Sequence, residues 1–270
     1  DIVYEMMNST ANGEITRFMA LFKDWGSIKQ VGSIRSVRPT NFMIAPEYNA
    51  VVIHDGGPFY IDAYLKNPWV EHLSGGFARI KNGKPREFTE YVTTQELIDN
   101  AKSFSDTAMV VISRVGGEMA DLPTNMDGLN YTENSTEYND YAQGNHWLFA
   151  SESNPVDLSE AADSKDCTLV DLPFDHNGSQ LDYDAASNTY LYSEYGMKHV
   201  DPLDDNKQMA FTNVILQCAP VTQYDSNGYM QFNILNSTGE GYYITGGKAI
   251  PVTWSKGHDM SPTKFYKEDG

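Results

Sequence analysis

The chain has 270 residues, 19 basic against 37 acidic side chains, a formal charge of −18, and 40% hydrophobic and 12% aromatic residues. That apolar share can bury a core, which excludes wholesale disorder, and the length allows one large domain or two ordinary ones. So negative a chain repels phosphate backbones, which argues against nucleic acid as a partner, and no apolar run approaches the ~18–20 residues of a membrane-spanning helix.

In chain order, residues 1–12 put Ile2, Val3, Met6 and Met7 on one helical face, which predicts a helix end broken by Gly13. Residues 16–22 and 31–37 predict short buried strands. Pro39 opens a helix over 41–48, residues 50–54 (AVVIH) form another buried strand, Asp55-Gly56-Gly57-Pro58 is a turn, and 60–66 is helical. Thr93-Thr94-Gln95-Glu96 has capping-box spacing and opens a helix to about Ser103; residues 107–113 predict a further strand. This order predicts an N-terminal three-layer α/β domain over residues 1–145. It carries an irregular insert at about 106–145, rich in Gly, Asn, Asp, Thr and Tyr.

The pattern then shifts to short strands. Residues 167–172 alternate, 181–184 and 189–192 flank an Ala-Ala-Ser-Asn turn, and 213–218 is apolar. Asp225-Ser226-Asn227-Gly228 marks a hairpin, and 229–235, 241–245 and 249–254 follow. Residues 146–270 therefore form a mostly antiparallel β domain, α+β overall. Cys167 and Cys218 lack metal-ligand spacing; two buried thiols in neighbouring strands are expected, and a disulfide would instead suit an oxidising compartment.

Several ordered motifs resemble the YerB-like bacterial lipoproteins. In the first half they are Asp1-Ile2-Val3-Tyr4-Glu5, residues 13–20 (GEITRFMA), residues 32–38 (GSIRSVR) and His54-Asp55-Gly56-Gly57. In the second half they are Tyr183-Asp184, Tyr190-Leu191, His199-Val200-Asp201, Asn213-Val214-Ile215 and residues 246–254 (GGKAIPVTW). The resemblance implies a domain of unknown function on a protein outside the cytoplasmic membrane, joined to that membrane only by an N-terminal lipid anchor. It implies a cell-envelope component or envelope protein as partner and supplies no mechanism or cofactor. Against that family the chain looks trimmed at both ends. It also has Glu87-Phe88-Thr89 where relatives carry Pro-His-Asn.

Candidate chemistry centres on arginines. Arg17, Arg35, Arg38 and His54 lie at or beside ends of predicted strands, where open α/β sheets bind ligands. Arg17, Arg35, Arg38 and Arg79, with the Gly56 and Gly57 amides, are the candidate anion-binding residues, because guanidinium offers planar bidentate donors and turn amides cradle phosphate. The alternative is internal pairing of Arg17 and Arg35 with Glu5, Glu14 or Glu47. His54 is the candidate acid or base, or a hydrogen-bonded strand-end histidine. The Arg-Ser-Val-Arg segment also loosely resembles a strand end of the LytR–CpsA–Psr phosphotransferases.

His199 and Asp201, near Asp204 and Asp205, offer cation ligands or an exposed turn; no metal site is assigned. Trp254, Tyr242 and Tyr243 offer sugar stacking or sheet packing. Residues 104–114 with Gly117-Glu118, and Lys23-Asp24-Trp25-Gly26, resemble pieces of family-3 glycoside hydrolases, too close in sequence to hold the intervening barrel. Gly-x-Ser-x-Gly, His-Glu-x-x-His and the Gly-Lys-Ser/Thr ending of a Walker loop are all missing. These readings together point to an envelope binding or scaffold protein, with a phosphate- or pyrophosphate-handling enzyme or binder as the alternative and glycoside hydrolysis as a remote one.

Overall fold

The helix end predicted at the start is a strand. β1 (Ile2–Met7) pairs with β2 (Thr16–Leu21) through a turn in which Gly13 and Glu14 have positive φ and the Asn8 N–H donates to the Ile15 carbonyl at 2.9 Å. Ile2, Val3 and Tyr4 suit a pleated surface, and a partner strand close in sequence overrides the helical spacing. This computed structural model describes residues 2–103 and 147–267, apart from 12, 23–25, 27, 49, 68 and 152. The strand predicted at 107–113 and the insert lie outside the described residues.

Two compact units divide the chain. The first takes in the described residues of Asp1–Tyr4, Phe18–Gly144 and His258–Pro262; the second takes in those of Glu5–Arg17, Asn145–Gly257 and Thr263–Gly270.

In the first unit, β3 (Val31–Gly32) precedes α1 (Pro39–Ile44), which tightens into a 3-10 turn over Ala45–Tyr48. Pro39 occupies the first turn, where its missing N–H costs nothing. β4 (Val51–His54), a 3-10 turn over Phe59–Ile61, α2 (Asp62–Leu65), β5 (Glu71–Ser74), β6 (Tyr91–Val92) and α3 (Thr94–Ser103) follow. The predicted capping box is present: Glu96 Oε2 accepts the Thr93 N–H and hydroxyl at 3.0 Å each, and the Glu96 N–H donates to Thr93 Oγ1 at 3.2 Å.

β4 and β5 pair in parallel, and β3 and β6 antiparallel. Val51 and Ile53 pack with Leu73, Phe77, Val92 and Leu97, whereas Val52 packs with Val37, Phe42, Ile61 and Val70. β4 is thus covered on both faces, as a parallel pair requires. Among the described residues the strands of this unit pair only in twos, so no broader sheet is present to carry the predicted three layers. The strand predicted at 31–37 is regular only at Val31–Gly32. Beyond it the chain stays extended: the Arg35 carbonyl accepts the Asp55 N–H at 3.0 Å and the Val37 N–H donates to Gly56 O at 3.1 Å.

The second unit is antiparallel throughout. β8 (Leu169–Asp171), β9 (Gln180–Asp184), β10 (Thr189–Glu194) and β11 (Met197–Lys198) lie in the order β11-β10-β9-β8, with β14 (Ala210–Phe211) also on β10. The other large sheet runs β15 (Asn213–Gln217), β18 (Ser237–Thr245), β19 (Lys248–Lys256), β20 (Lys264–Tyr266), with β7 (Lys165–Asp166) on β19. Two small ladders, β12 (Val200–Asp201) with β13 (Lys207–Gln208) and β16 (Val221–Gln223) with β17 (Met230–Phe232), complete it. Along β19, Ile250, Val252 and Trp254 are buried while Pro251 and Thr253 are exposed, the period-two pattern of a half-buried strand. Gly246 and Gly247, both at positive φ, supply the tight turn between β18 and β19.

Glu5 joins this unit through hydroxyls. Its carboxylate accepts from Thr16 Oγ1 at 2.8 Å and Ser179 Oγ at 2.7 Å, and the Tyr192 hydroxyl lies 3.0 Å from its second oxygen. Burial holds the Glu5 carboxyl above its usual range, although these bonds pull it down. Ser179 and Tyr192 are 0% and 2% exposed; Glu5→Ala takes away the acceptor of the Ser179 hydroxyl, while the Tyr192 hydroxyl keeps Ser179 Oγ at 2.9 Å, and should lower stability by about 1–3 kcal/mol. Glu5→Gln, which keeps an acceptor, should cost less. Chemical denaturation should show a lower midpoint at unchanged slope; equal stability of wild type and Glu5→Ala would refute the role.

Candidate functional site

Chemistry-bearing side chains gather where β4 and β5 end. His54 is 1% exposed, with Nδ1 2.9 Å from the Gly56 carbonyl and Nε2 3.0 Å from His72 Nδ1. A carbonyl only accepts, so His54 Nδ1 carries the proton and Nε2 accepts from His72 Nδ1–H. In the parallel register His72 stands opposite Val52 and Ser74 opposite His54, so the two imidazoles are diagonal neighbours on one face. Phe42 meets both rings edge-on. Burial pushes the pKa of each imidazole down, so both are neutral.

The turn after β4 is committed to the fold. The Gly56 N–H donates to Ser74 Oγ at 3.2 Å, and the Gly75 N–H donates to the His54 carbonyl at 2.7 Å. Gly56 has φ +70°, a left-handed conformation. A Cβ on Gly57 would stand 2.5 Å from Ile61 Cδ1 and 3.2 Å from Val37 Cγ2, so a larger residue there would displace the Ile61 side chain.

Asp55, at the head of this turn, meets Arg79. Arg79 Nη2 lies 2.7 Å from Asp55 Oδ2 and also contacts Glu90 Oε2, while Nη1 donates to the Arg86 carbonyl at 2.9 Å. Glu90 is 1% exposed, and its Oε1 accepts the Phe77 N–H at 3.3 Å. Burial raises the Glu90 pKa, and the hydrogen bond and charge of Asp55 raise it further against the pull of Arg79. For Asp55, burial is outweighed by the Glu90 hydrogen bond and by Arg79, which hold its carboxyl low. Arg86 stands 3.9 Å from Asp55 Oδ2.

The predicted arginines do not converge. Arg35 lies with its guanidinium 4.6 Å over the Phe88 ring. Arg38 is 5% exposed and donates from Nη1 to Ser36 Oγ at 3.2 Å and to the Val37 carbonyl at 2.8 Å. Arg17 is assigned to the second unit, and His54 and Arg79 to the first. Glu5, a predicted alternative partner for Arg17 and Arg35, is held by hydroxyls instead.

Lys23-Asp24-Trp25 and residues 104–118, the glycosidase-like pieces, lie outside the described residues. His199 faces Glu194 at 2.9 Å, and Asp201 accepts the Leu203 N–H. Trp254 is core, 1% exposed and bonded to the Cys218 carbonyl at 2.9 Å. Both cysteines are free thiols, with Cys167 half-buried and Cys218 exposed rather than the expected buried pair. Sequence reasoning missed His72, Ser74 and Glu90. Only the parallel register of β4 and β5 signals the first two, and no local spacing marks Glu90.

Two outcomes test this geometry. Arg79→Met leaves two carboxylates facing each other with Glu90 buried, and stability should fall by about 2–3 kcal/mol, less than for a fully buried pair because Asp55 and Arg79 keep part of their surface in water. Glu90→Gln in that background should restore part of the loss; a neutral Arg79→Met would refute the bridge. The histidines give a pH signature. Their folded pKa values lie below the unfolded value of about 6.5, so the unfolded chain takes up protons first as pH falls. Their contribution is complete above that pH and is lost below it. Denaturation midpoints should drop from pH 7 to 5, and His72→Gln should flatten the drop; identical slopes in both proteins would contradict the assignment.

Family models of a protein of unknown function, DUF3048, match the chain at residues 1–107 with the N-terminal domain and 170–270 with the C-terminal domain. No curated protein matches the chain. It is similar in fold to the crystal structure of the YerB protein from Bacillus subtilis, at 18% identity and TM-score 0.63, over 99% of this chain and 77% of that one.

Proposed function

The chain belongs to the DUF3048 family, and from that premise we propose that it is a non-enzymatic binding or scaffold protein of the bacterial cell envelope, extracytoplasmic and lipid-anchored in its native form. The observation that supports it is the internal commitment of the polar candidates. His54 is enclosed between Gly56 and His72, Arg79 is held by two carboxylates, and Arg38 is buried on Ser36 and Val37. A general base needs an accessible lone pair and an anion clamp needs exposed donors; both His54 ring nitrogens are engaged, Arg79 Nη2 lies on carboxylates, and the Arg38 Nε that makes no hydrogen bond is buried. The address rests on the resemblance of the sequence motifs to YerB-like lipoproteins.

A second reading, a binder or enzyme for phosphate or pyrophosphate, keeps one observation: Arg35 lies over Phe88 and makes no ion pair among the described residues. Thermal unfolding against phosphate, pyrophosphate, a soluble polyprenyl-pyrophosphate analogue and muropeptides separates the two. A ligand selective for the folded state adds ~2.7 kcal/mol at a hundredfold excess over its dissociation constant. The first reading expects no shift with any of the phosphate compounds. A pyrophosphate shift that vanishes in Arg35→Ala overturns it in favour of the second. For the address, acyl labelling and fractionation of the full-length product should place a lipid-modified form with the membrane; an unmodified cytosolic product would overturn it.

A further inference from the structure

We propose that the loop between Arg79 and Glu90 is a docking surface for an anionic lipid bilayer, with Lys81, Lys84 and Arg86 on the headgroups and Phe59 in the interface. This goes beyond the envelope reading and stands or falls separately from it.

The charge is segregated. Residues 79–86 read RIKNGKPR, four of the chain's 19 basic residues, and with the exposed Glu87 that follows, the stretch 81–88 carries three cations against one acid in a protein of net charge −18. Arg79 is spent on Asp55 and Glu90, which fixes the loop's base, while the other three are exposed. Lys81 and Lys84 make no ion pair among the described residues, and Arg86, 75% exposed, reaches Asp55 only at 3.9 Å.

The loop projects and is pre-shaped. All residues from 81 to 88 are exposed. The Ile80 N–H donates to the Thr89 carbonyl at 2.7 Å, Asn82 Nδ2 to the Phe88 carbonyl at 2.9 Å, the Lys84 N–H to Asn82 Oδ1 at 3.0 Å and the Phe88 N–H to the Pro85 carbonyl at 2.9 Å. Little backbone entropy is therefore left to lose on docking. Phe59 is 82% exposed on the turn that Asp55 begins. Four residues of chain span at most ~14 Å, so Phe59 lies at the same end of β4 as the Arg79 and Arg86 contacts.

Cations on an exposed loop, with an exposed aromatic at the same end of β4, suit a soft planar anionic partner. A bilayer interface receives a protruding Phe without a preformed cleft, whereas a polymer strand is held in a groove. The acidic remainder of the chain is repelled from the same surface, which orients the loop toward it.

The test is co-sedimentation of the 270-residue chain, without any acyl group, with phosphatidylcholine vesicles and with vesicles that also contain phosphatidylglycerol, at low and high salt. Binding is expected only with phosphatidylglycerol and should weaken with salt. Lys81→Glu with Lys84→Glu should reduce partitioning at least about tenfold, and Phe59→Ser should reduce it several-fold, both at an unchanged unfolding midpoint. Equal binding to neutral vesicles, no binding, or indifference to the charge reversal overturns the proposal. So does tighter capture of single-stranded DNA or polyphosphate through the same lysines, which reassigns the loop to a polymer.

Discussion

The guanidinium of Arg79 is the group on which the candidate site depends. It bridges Asp55, which heads the turn after β4, and Glu90, which sits beside β6 and holds the Phe77 amide. Those contacts span 24 and 11 residues, so one side chain fixes the end of the parallel pair to the base of a loop. Two carboxylates this close repel each other unless a cation intervenes; Arg79 lies between them, and burial together with Asp55 raises the Glu90 pKa.

The same bridge decides what chemistry the site offers. Of the residues that sequence alone marks for catalysis or anion capture, His54, Gly56 and Arg79 direct donors or acceptors at neighbouring groups of the fold, while Arg35 lies over Phe88. His54 Nδ1–H donates to the Gly56 carbonyl and Nε2 accepts from His72 Nδ1–H; the Gly56 N–H donates to Ser74 Oγ. A closed network of this kind rigidifies a strand end, and opening it costs the desolvation of each exposed partner. Outside this network lies the exposed loop whose base Arg79 holds.

Much of the fold was legible because its signals are local. The β9–β10 hairpin follows from alternation around an Asp-headed turn, in which Asp184 accepts the Ala186 and Ser187 amides. The capping box at Thr93–Glu96 is likewise legible from neighbouring residues. β1 was misread because apolar residues at positions 2, 3, 6 and 7 fit a helix as well as a strand, and only its partner decides. The site was legible by half: His54, Asp55 and Gly56 belong to one turn, whereas His72, Ser74 and Glu90 join it through strand register and long-range pairing, which no spacing encodes. The arginine cluster failed because side chains of like charge find separate partners, here Phe88 for Arg35 and backbone and hydroxyl oxygens for Arg38.

The enclosure of His54 between the Gly56 carbonyl and His72, with its pKa lowered by burial, is open to direct measurement. Long-range nitrogen–proton correlation spectra of the imidazoles, recorded from pH 5 to 8 with and without pyrophosphate, read tautomer and protonation directly. The account predicts His54 as the neutral Nδ1–H tautomer throughout the folded range above its depressed pKa, unmoved by pyrophosphate. A His54 that titrates at or above about 6.5, or changes tautomer when pyrophosphate is added, would contradict it.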